Sequence, residues 1–432
     1  MPRSLSFSTL ALSLATTTYA AQPATSGDWL EGNEAYLMRV AGDLWQRAEP
    51  AHHEARTSRY LQDELRLAGF EVQAGIAGLP TAFVASYGSR RPTIGIVALL
   101  DALPGRDGEP AWHGCGHHLI GAADLGAVLA VREAIAAHSL PGTIRFYGAP
   151  AEEIYHGGVY MVREGAFDDL DALLFWHPSS ITAVIGRSGL AMDSVRFVFR
   201  GRASDATDAP EKGRNALAAA YDLAGRTQSG WPSFTVVNHV LLEGGVVPSV
   251  VPDLATLWYF VHASDRAGVE EIRGRIASLA EESAKRTGTE VELQLLSSTR
   301  HWLINRRLTE HLQTRLDGDV LPLSFGDEPV LISDDTAEAS WVVPRGGFLV
   351  QAFPAGTPSH SREWVEAGQS GLAHEAMMRA ARALAASAVD LLVDRKLLEE
   401  VRREFAAATK GVSYESPLPP GRGPFDFLRI KN

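Results

Sequence analysis

Cysteine is nearly absent from this chain. Cys115 is the only one in 432 residues, so no disulfide can form within it. Beyond the first twenty residues there is no apolar run of the ~18–20 residues that a helix needs to cross a bilayer, so no membrane span is expected. Basic residues are the minority charge, with Lys+Arg 40 against Asp+Glu 52 and a net charge of −12. Such a balance gives no general pull toward nucleic acid or an anionic membrane, although a local basic pocket remains allowed. Apolar mass, in contrast, is ample. Hydrophobic residues make up 45% and charged residues 21%, which supports a large core and excludes disorder for most of the chain. At ~100–200 residues per domain, the length predicts two to three domains.

The first twenty residues read as a secretory signal peptide. Arg3 precedes an apolar run diluted by Ser and Thr from Leu5 to Ala15, and Thr18-Tyr19-Ala20 places small residues at −3 and −1 of a cut after Ala20 or Ala21. The expectation is an exported protein, periplasmic or secreted. In such a compartment a lone thiol needs protection, for instance by a metal.

Beyond that point the pattern alternates. Helical periodicity covers Asn33–Arg47 and Ala55–Leu67, and β-like runs follow at Phe70–Ala74, Ala82–Ser86 and Ile94–Leu100. The last is continuously apolar, which suits a strand buried on both faces. Helical spacing returns over His118–His138, with strands at Thr143–Tyr147 and Ala172–Trp176. Near Gly186 the pattern changes to a compact α+β block, with strands near 194–200, 236–242, 255–261 and 290–295 and helices near 216–224 and 269–287. After Arg300 the α/β character resumes, with a strand at Phe348–Phe353 and a helix from about Gly368 to Leu392. The expected fold class is α/β, a mixed and mostly parallel sheet flanked by helices, with an inserted ferredoxin-like α+β domain. The divisions are 1–20 for the signal peptide, 21–187 and 300–432 for a discontinuous catalytic domain, and 188–299 for the insert. The tail from Ser416 to Pro424 reads as a loop that ends the packed fold.

Metal-ligand residue types collect at four places. In His113-Gly-Cys115-Gly-His117-His118, glycines let the backbone turn so that thiol and imidazole can face one ion. Glu152-Glu153 directly follows a strand, and two adjacent carboxylates can divide metal binding from general-base work. His177 ends an apolar strand, and Ser359-His360-Ser361 follows another. Singly, each has an ordinary reading: a surface glycine loop, carboxylates favoured at a helix start, or a structural histidine. Their combination carries the argument, since all four follow strands or open helices, where α/β folds build sites.

These stretches resemble the amidohydrolase branch of the aminoacylase/carboxypeptidase G metallopeptidase family, which includes auxin-amino-acid hydrolases and p-aminobenzoyl-glutamate hydrolases. The resemblance rests on DALPG at 101–105, HGCGHHLIG at 113–121, GTIRFYGAPAEE at 142–153, MVREGAFDDLDALLFWHP at 161–178, GRNALAAA at 213–220, SWVVP at 340–344, AGTPSH at 355–360 and YESPLPP at 414–420. It implies two divalent metal ions held by Cys115, His117, Glu153, His177 and His360, with Glu152 as the catalytic carboxylate. Ligand softness favours zinc, while the resemblance also admits manganese or cobalt. The implied reaction hydrolyses an amide between an acyl or aroyl group and an amino acid, or a small peptide. The metals polarise the carbonyl and activate a water, and Glu152 moves the proton from that water to the leaving nitrogen. The resemblance also implies a homodimer through the inserted domain.

Departures from the family pattern complicate the substrate side. The family's inserted domain carries a histidine that reaches across the dimer to the substrate carbonyl, and here Asp205 stands in its place. An ionised carboxylate cannot donate to an oxyanion. Ser249 replaces an amide side chain, and His118 follows the Cys-x-His unit where Asn or Asp is common. Asp205, Arg214, Ser249 and His118 are therefore the candidate substrate contacts, with Arg214 as a bidentate carboxylate anchor. His113, His156 and Asp101 are further candidates for orienting or structural roles. Two other readings stand beside the amidohydrolase. One is a metal-retaining protein with altered or lost hydrolysis, suggested by Asp205. The other is a thiol hydrolase using Cys115.

Overall fold

A computed structural model describes residues 26–106 and 108–426. The expected signal peptide lies outside these residues. Strands β1 (Glu71–Ala74) and β2 (Phe83–Gly88) open the first sheet. Every residue of β3 (Thr93–Leu99) is buried, as its unbroken apolar run requires of a strand covered on both faces. β4 (Thr143–Ala149), β5 (Ala172–Ser179) and the two-residue β6 (Ala183–Val184) follow.

The chain then builds a separate sheet from β7 (Ala191–Arg200), β8 (Val236–Glu243), β9 (Leu254–Ala263) and β10 (Glu290–Thr299), and returns to the first sheet with β11 (Arg345–Gln351). The seven-stranded sheet has the order β1-β2-β4-β3-β5-β11-β6. Its central pairs β4–β3, β3–β5 and β5–β11 are parallel, whereas the pairs toward its edges are antiparallel. Two long helices, His117–His138 and Gly371–Val393, pack on each other and on this sheet. The latter starts where the Ser370 hydroxyl accepts from the Ala373 N–H.

The second sheet has the order β10-β7-β9-β8, antiparallel throughout. Helices Ala216–Arg226 and Arg266–Thr287 cover it and enclose a core of their own around Phe197, Leu257, Tyr259 and Ile276. This is the mixed α/β sheet with an inserted ferredoxin-like α+β unit that the sequence pattern predicts. Among the described residues no helix is long and apolar enough to cross a membrane.

The structure departs from expectation in three places. β11 starts at Arg345 rather than Phe348. Gly346 and Gly347 give no apolar signal, yet a Cβ on Gly346 would come within 2.6 Å of Leu308, so the strand needs that gap to pack its covering helix. The helix Arg395–Ala408 was not expected. The tail is loop-like, but it does not end the packed fold: Leu418 is buried, Arg300 Nη2 donates to the Glu415 carbonyl at 2.6 Å, and Phe425 packs on His52.

Candidate metal centre

The functional side chains stand at neighbouring strand ends. β3 runs into Asp101, and the following loop carries Cys115 and presents His117 as the first residue of its helix. Gly116 makes the bend between them at φ +79°, where a Cβ would also meet Pro178 at 2.9 Å. β4 leads directly into Glu152 and Glu153, β5 carries His177, and His360 follows β11.

The structure brings all six predicted cluster residues together. Three overlapping groups have donor atoms within 4.8 Å of one another: Cys115, His117 and His177; Cys115, Glu153 and His360; His117, Glu152 and Glu153. Cys115 Sγ lies 2.8 Å from His360 Nε2, which in turn is 3.5 Å from Glu153 Oε2. His117 Nε2 is 3.8 Å from Glu152 Oε2.

Neighbouring groups orient these side chains. His117 Nδ1–H donates to the Asp101 carbonyl at 2.8 Å, and Asp101 Oδ2 accepts the Glu153 N–H at 3.0 Å. His177 Nδ1–H donates to the Pro178 carbonyl at 2.7 Å. With each Nδ1 engaged, each Nε2 is the nitrogen left for the cluster.

The electrostatics call for a cation. Burial raises the Glu152 carboxyl well above its ordinary range, and Glu153, Asp335 and Asp101 push it further. Burial and Asp101 raise Glu153 to about 8. The Cys115 thiol is pushed up by burial and by the two glutamates, while burial lowers His117 and His177 to about 4. Among the described residues, His117 Nε2 and Glu153 Oε1 are buried with no hydrogen-bond partner. Thiol, imidazole and carboxylate donors packed this way fit divalent ions, which would turn the mutual repulsion into attraction.

The cluster forms part of the wall of a cavity of about 380 Å³. The rest is largely apolar, including Met192 and Phe260 from the inserted sheet and Trp302 and Ile332 from the returning chain. Asp334 lines it too, 3.2 Å from the buried Arg345, and the neighbouring Asp335 accepts the Gly158 N–H at 2.6 Å. These two aspartates escaped the sequence reading. They follow no strand, and the one available signal was a pair of adjacent acids, Asp334-Asp335, in a small-residue stretch.

Within the single chain, the predicted substrate contacts do not line this cavity. His118 is buried behind the cluster, its Nε2–H donating to the Gly368 carbonyl at 2.9 Å and its ring edge-on to Trp45. Asp205, Arg214 and Ser249 are exposed on the inserted domain. Asp205 Oδ1 accepts the N–H groups of Thr207 and Asp208, both at 2.8 Å, in a local turn. The Arg214 backbone pairs with Arg202, and the Ser249 carbonyl accepts the Ala206 N–H.

Residues 100–401 match the model of peptidase family M20/M25/M40. The chain belongs to this family. It is therefore a hydrolase of amide or peptide bonds. The chain is 28% identical over 471 residues to one of the subunits of the p-aminobenzoyl-glutamate hydrolase of Escherichia coli K12, covering 91% of this chain and 96% of that protein. It is 29% identical over 393 residues to the Xaa-Arg dipeptidase of Mus musculus, covering 85% and 88%. A dinuclear metal-binding peptidase of the M20 family from Bacillus subtilis has the same fold, with a TM-score of 0.60 and 20% identity over 84% of this chain and 99% of that one. In this M20 hydrolase, the six clustered residues occupy the strand ends at which an α/β fold places its chemistry.

Proposed function

We propose that this M20 hydrolase is a dinuclear metal amidohydrolase. Its substrates are N-acyl or N-aroyl amino acids of the p-aminobenzoyl-glutamate kind, or small peptides. The observation that carries the reading is the convergence of Cys115, His117, Glu153, His177 and His360 with Glu152 beside them. The first five would hold two divalent ions, zinc or manganese, with cobalt also accommodated by the donor set. Bound there, the ions supply electrophilic activation of the carbonyl and of water. Glu152 takes the proton of the attacking water and delivers it to the leaving nitrogen.

The thiol-hydrolase reading gains support from the contact of Cys115 with His360. The carboxylates on its other side oppose it, because they disfavour the thiolate that such a mechanism needs. The binding-protein reading rests on Asp205, whose carboxylate is engaged in its own turn. We further propose export through the N-terminal segment and a homodimer through the inserted domain.

The test is amine release from p-aminobenzoyl-glutamate, N-acetyl, N-benzoyl and indole-acetyl amino acids and dipeptides, with added Zn²⁺ or Mn²⁺ and with chelator. Chelator is expected to abolish release, and Glu152→Ala to keep the metal while losing turnover. Chelator-resistant release that dies on alkylation of Cys115 would establish the thiol reading. Near-parental turnover by Glu152→Ala would remove the role given to Glu152.

A further inference from the structure

We propose that His156 is a further catalytic residue, whose Nε2–H donates a hydrogen bond to the substrate carbonyl oxygen as that oxygen becomes negative. The inference rests on the amidohydrolase reading of the same cavity. In amide hydrolysis the water oxygen bonds to the carbonyl carbon while its proton passes to Glu152. The carbonyl π pair moves onto oxygen. When the C–N bond breaks, that pair returns and the leaving nitrogen takes the proton from Glu152. A fixed donor on that oxygen adds to what bound ions would supply, and among the described residues the cavity lining contains no lysine or arginine side chain to serve as one.

His156 meets the requirements in position, tautomer and charge. It ends the turn that carries Glu152 and Glu153, a turn closed by the Tyr155 and His156 N–H groups donating to the Ala151 carbonyl at 3.0 and 2.7 Å. Its backbone is left-handed, at φ +56°, a conformation that non-glycine residues adopt at a cost and that clusters at functional sites. The next residue, Gly157, leaves no room for the turn to shift, since a Cβ there would lie 2.2 Å from the Pro150 carbonyl oxygen. The ring lines the cavity together with Cys115, Glu152, His177 and His360.

Its Nδ1 is 2.7 Å from Ser297 Oγ, on the wholly buried Ser297 of β10. Among the described residues the Ser297 hydroxyl has no other hydrogen-bond partner, so its proton goes to Nδ1 and the ring proton sits on Nε2. Burial, with His262 nearby, lowers the ring to about 3, so it stays a neutral donor that keeps its proton through the reaction. His262 also lines the cavity but cannot substitute. Its Nε2 is bound to Ser333 Oγ at 3.1 Å, and its Nδ1 is buried.

The test compares His156→Phe, His156→Gln and Ser297→Ala in the metal-loaded protein. His156→Phe is expected to lower kcat about 10²–10³-fold with little change in KM, the signature of an interaction made in the transition state. His156→Gln returns an N–H and is expected to recover kcat to within about tenfold of the wild type. Metal content and Tm should stay near wild type in both. A second readout does not need turnover. Spectra of ¹⁵N-histidine-labelled protein are expected to show His156 as the Nε2–H tautomer, Ser297→Ala to weaken that preference, and an N-aroyl phosphinate mimic of the tetrahedral state to shift the Nε2–H resonance. Unchanged kcat in His156→Phe, an Nδ1–H tautomer, or no shift with the phosphinate would each overturn the proposal. If the wild type releases no amine from any substrate, the amidohydrolase reading fails, and the spectra still decide the tautomer and the contact.

Discussion

Glu338 shows how far a single buried carboxyl can tie stability to pH. It is fully buried on the 3₁₀ turn Asp335–Trp341, where it accepts the Arg300 N–H. Burial is the largest influence and pushes its pKa up to about 7. The folded protein therefore keeps a proton that the unfolded chain releases above about pH 4.5, so stability falls as pH rises from there to about 7. Glu338→Gln removes this dependence. The Tm of the variant relative to wild type is expected to rise by at least ~2 °C between pH 4.5 and 8 in thermal melts of the metal-loaded protein; a difference that does not change with pH would refute the assignment. Residues of this kind were illegible in the sequence. Cys115, His117, Glu152, Glu153, His177 and His360 were legible because each follows a strand or opens a helix. Asp335 and Glu338 sit in a segment without a strand, and nothing local marks them as buried. The substrate-contact candidates were less legible: motif position cannot say that Asp205 accepts two backbone N–H groups in its own turn.

At the level of elements, β8 is the exposed edge of the inserted sheet. Val240, Leu241 and Leu242 on it are 51%, 41% and 47% exposed. An unpaired apolar edge favours pairing with another strand, which supports the proposed dimer. Val240→Lys with Leu242→Lys is expected to give a folded monomer by light scattering, because both side chains face solvent in the single chain and only the paired edge would exclude the lysines. A double variant that stays dimeric would place the interface elsewhere. Most elements were legible from periodicity. The helix Ala55–Leu67 matches its predicted limits, and β3 differs from its expected range by one residue at each end. Patterns failed where side chains are missing or where helices are mostly polar. Gly346 and Gly347 hid the start of β11, and Arg395–Ala408 buries only Leu397, Leu398 and Val401, too narrow a stripe to stand out.

On the scale of the whole molecule, export has a direct check. N-terminal mass analysis of the protein from fractionated cells is expected to find a chain beginning at Ala21 or Gln22 outside the cytoplasm; an intact Met1 in the cytoplasmic fraction would exclude it. The pairing of β5 with β11 has a separate consequence, in the order of synthesis. A ribosome makes Cys115, His117, Glu152, Glu153 and His177, then the whole four-stranded unit, and only afterwards β11 and His360. Domains tend to fold as they emerge, so the inserted unit, with its own core, is complete while β5 still waits for its neighbour. The cluster cannot close until most of the chain has been made. Of the three donor groups only Cys115, Glu153 and His360 waits for the late strand, so the full pair of ions proposed here would be completed only in a nearly finished protein and would lock this fold rather than nucleate it.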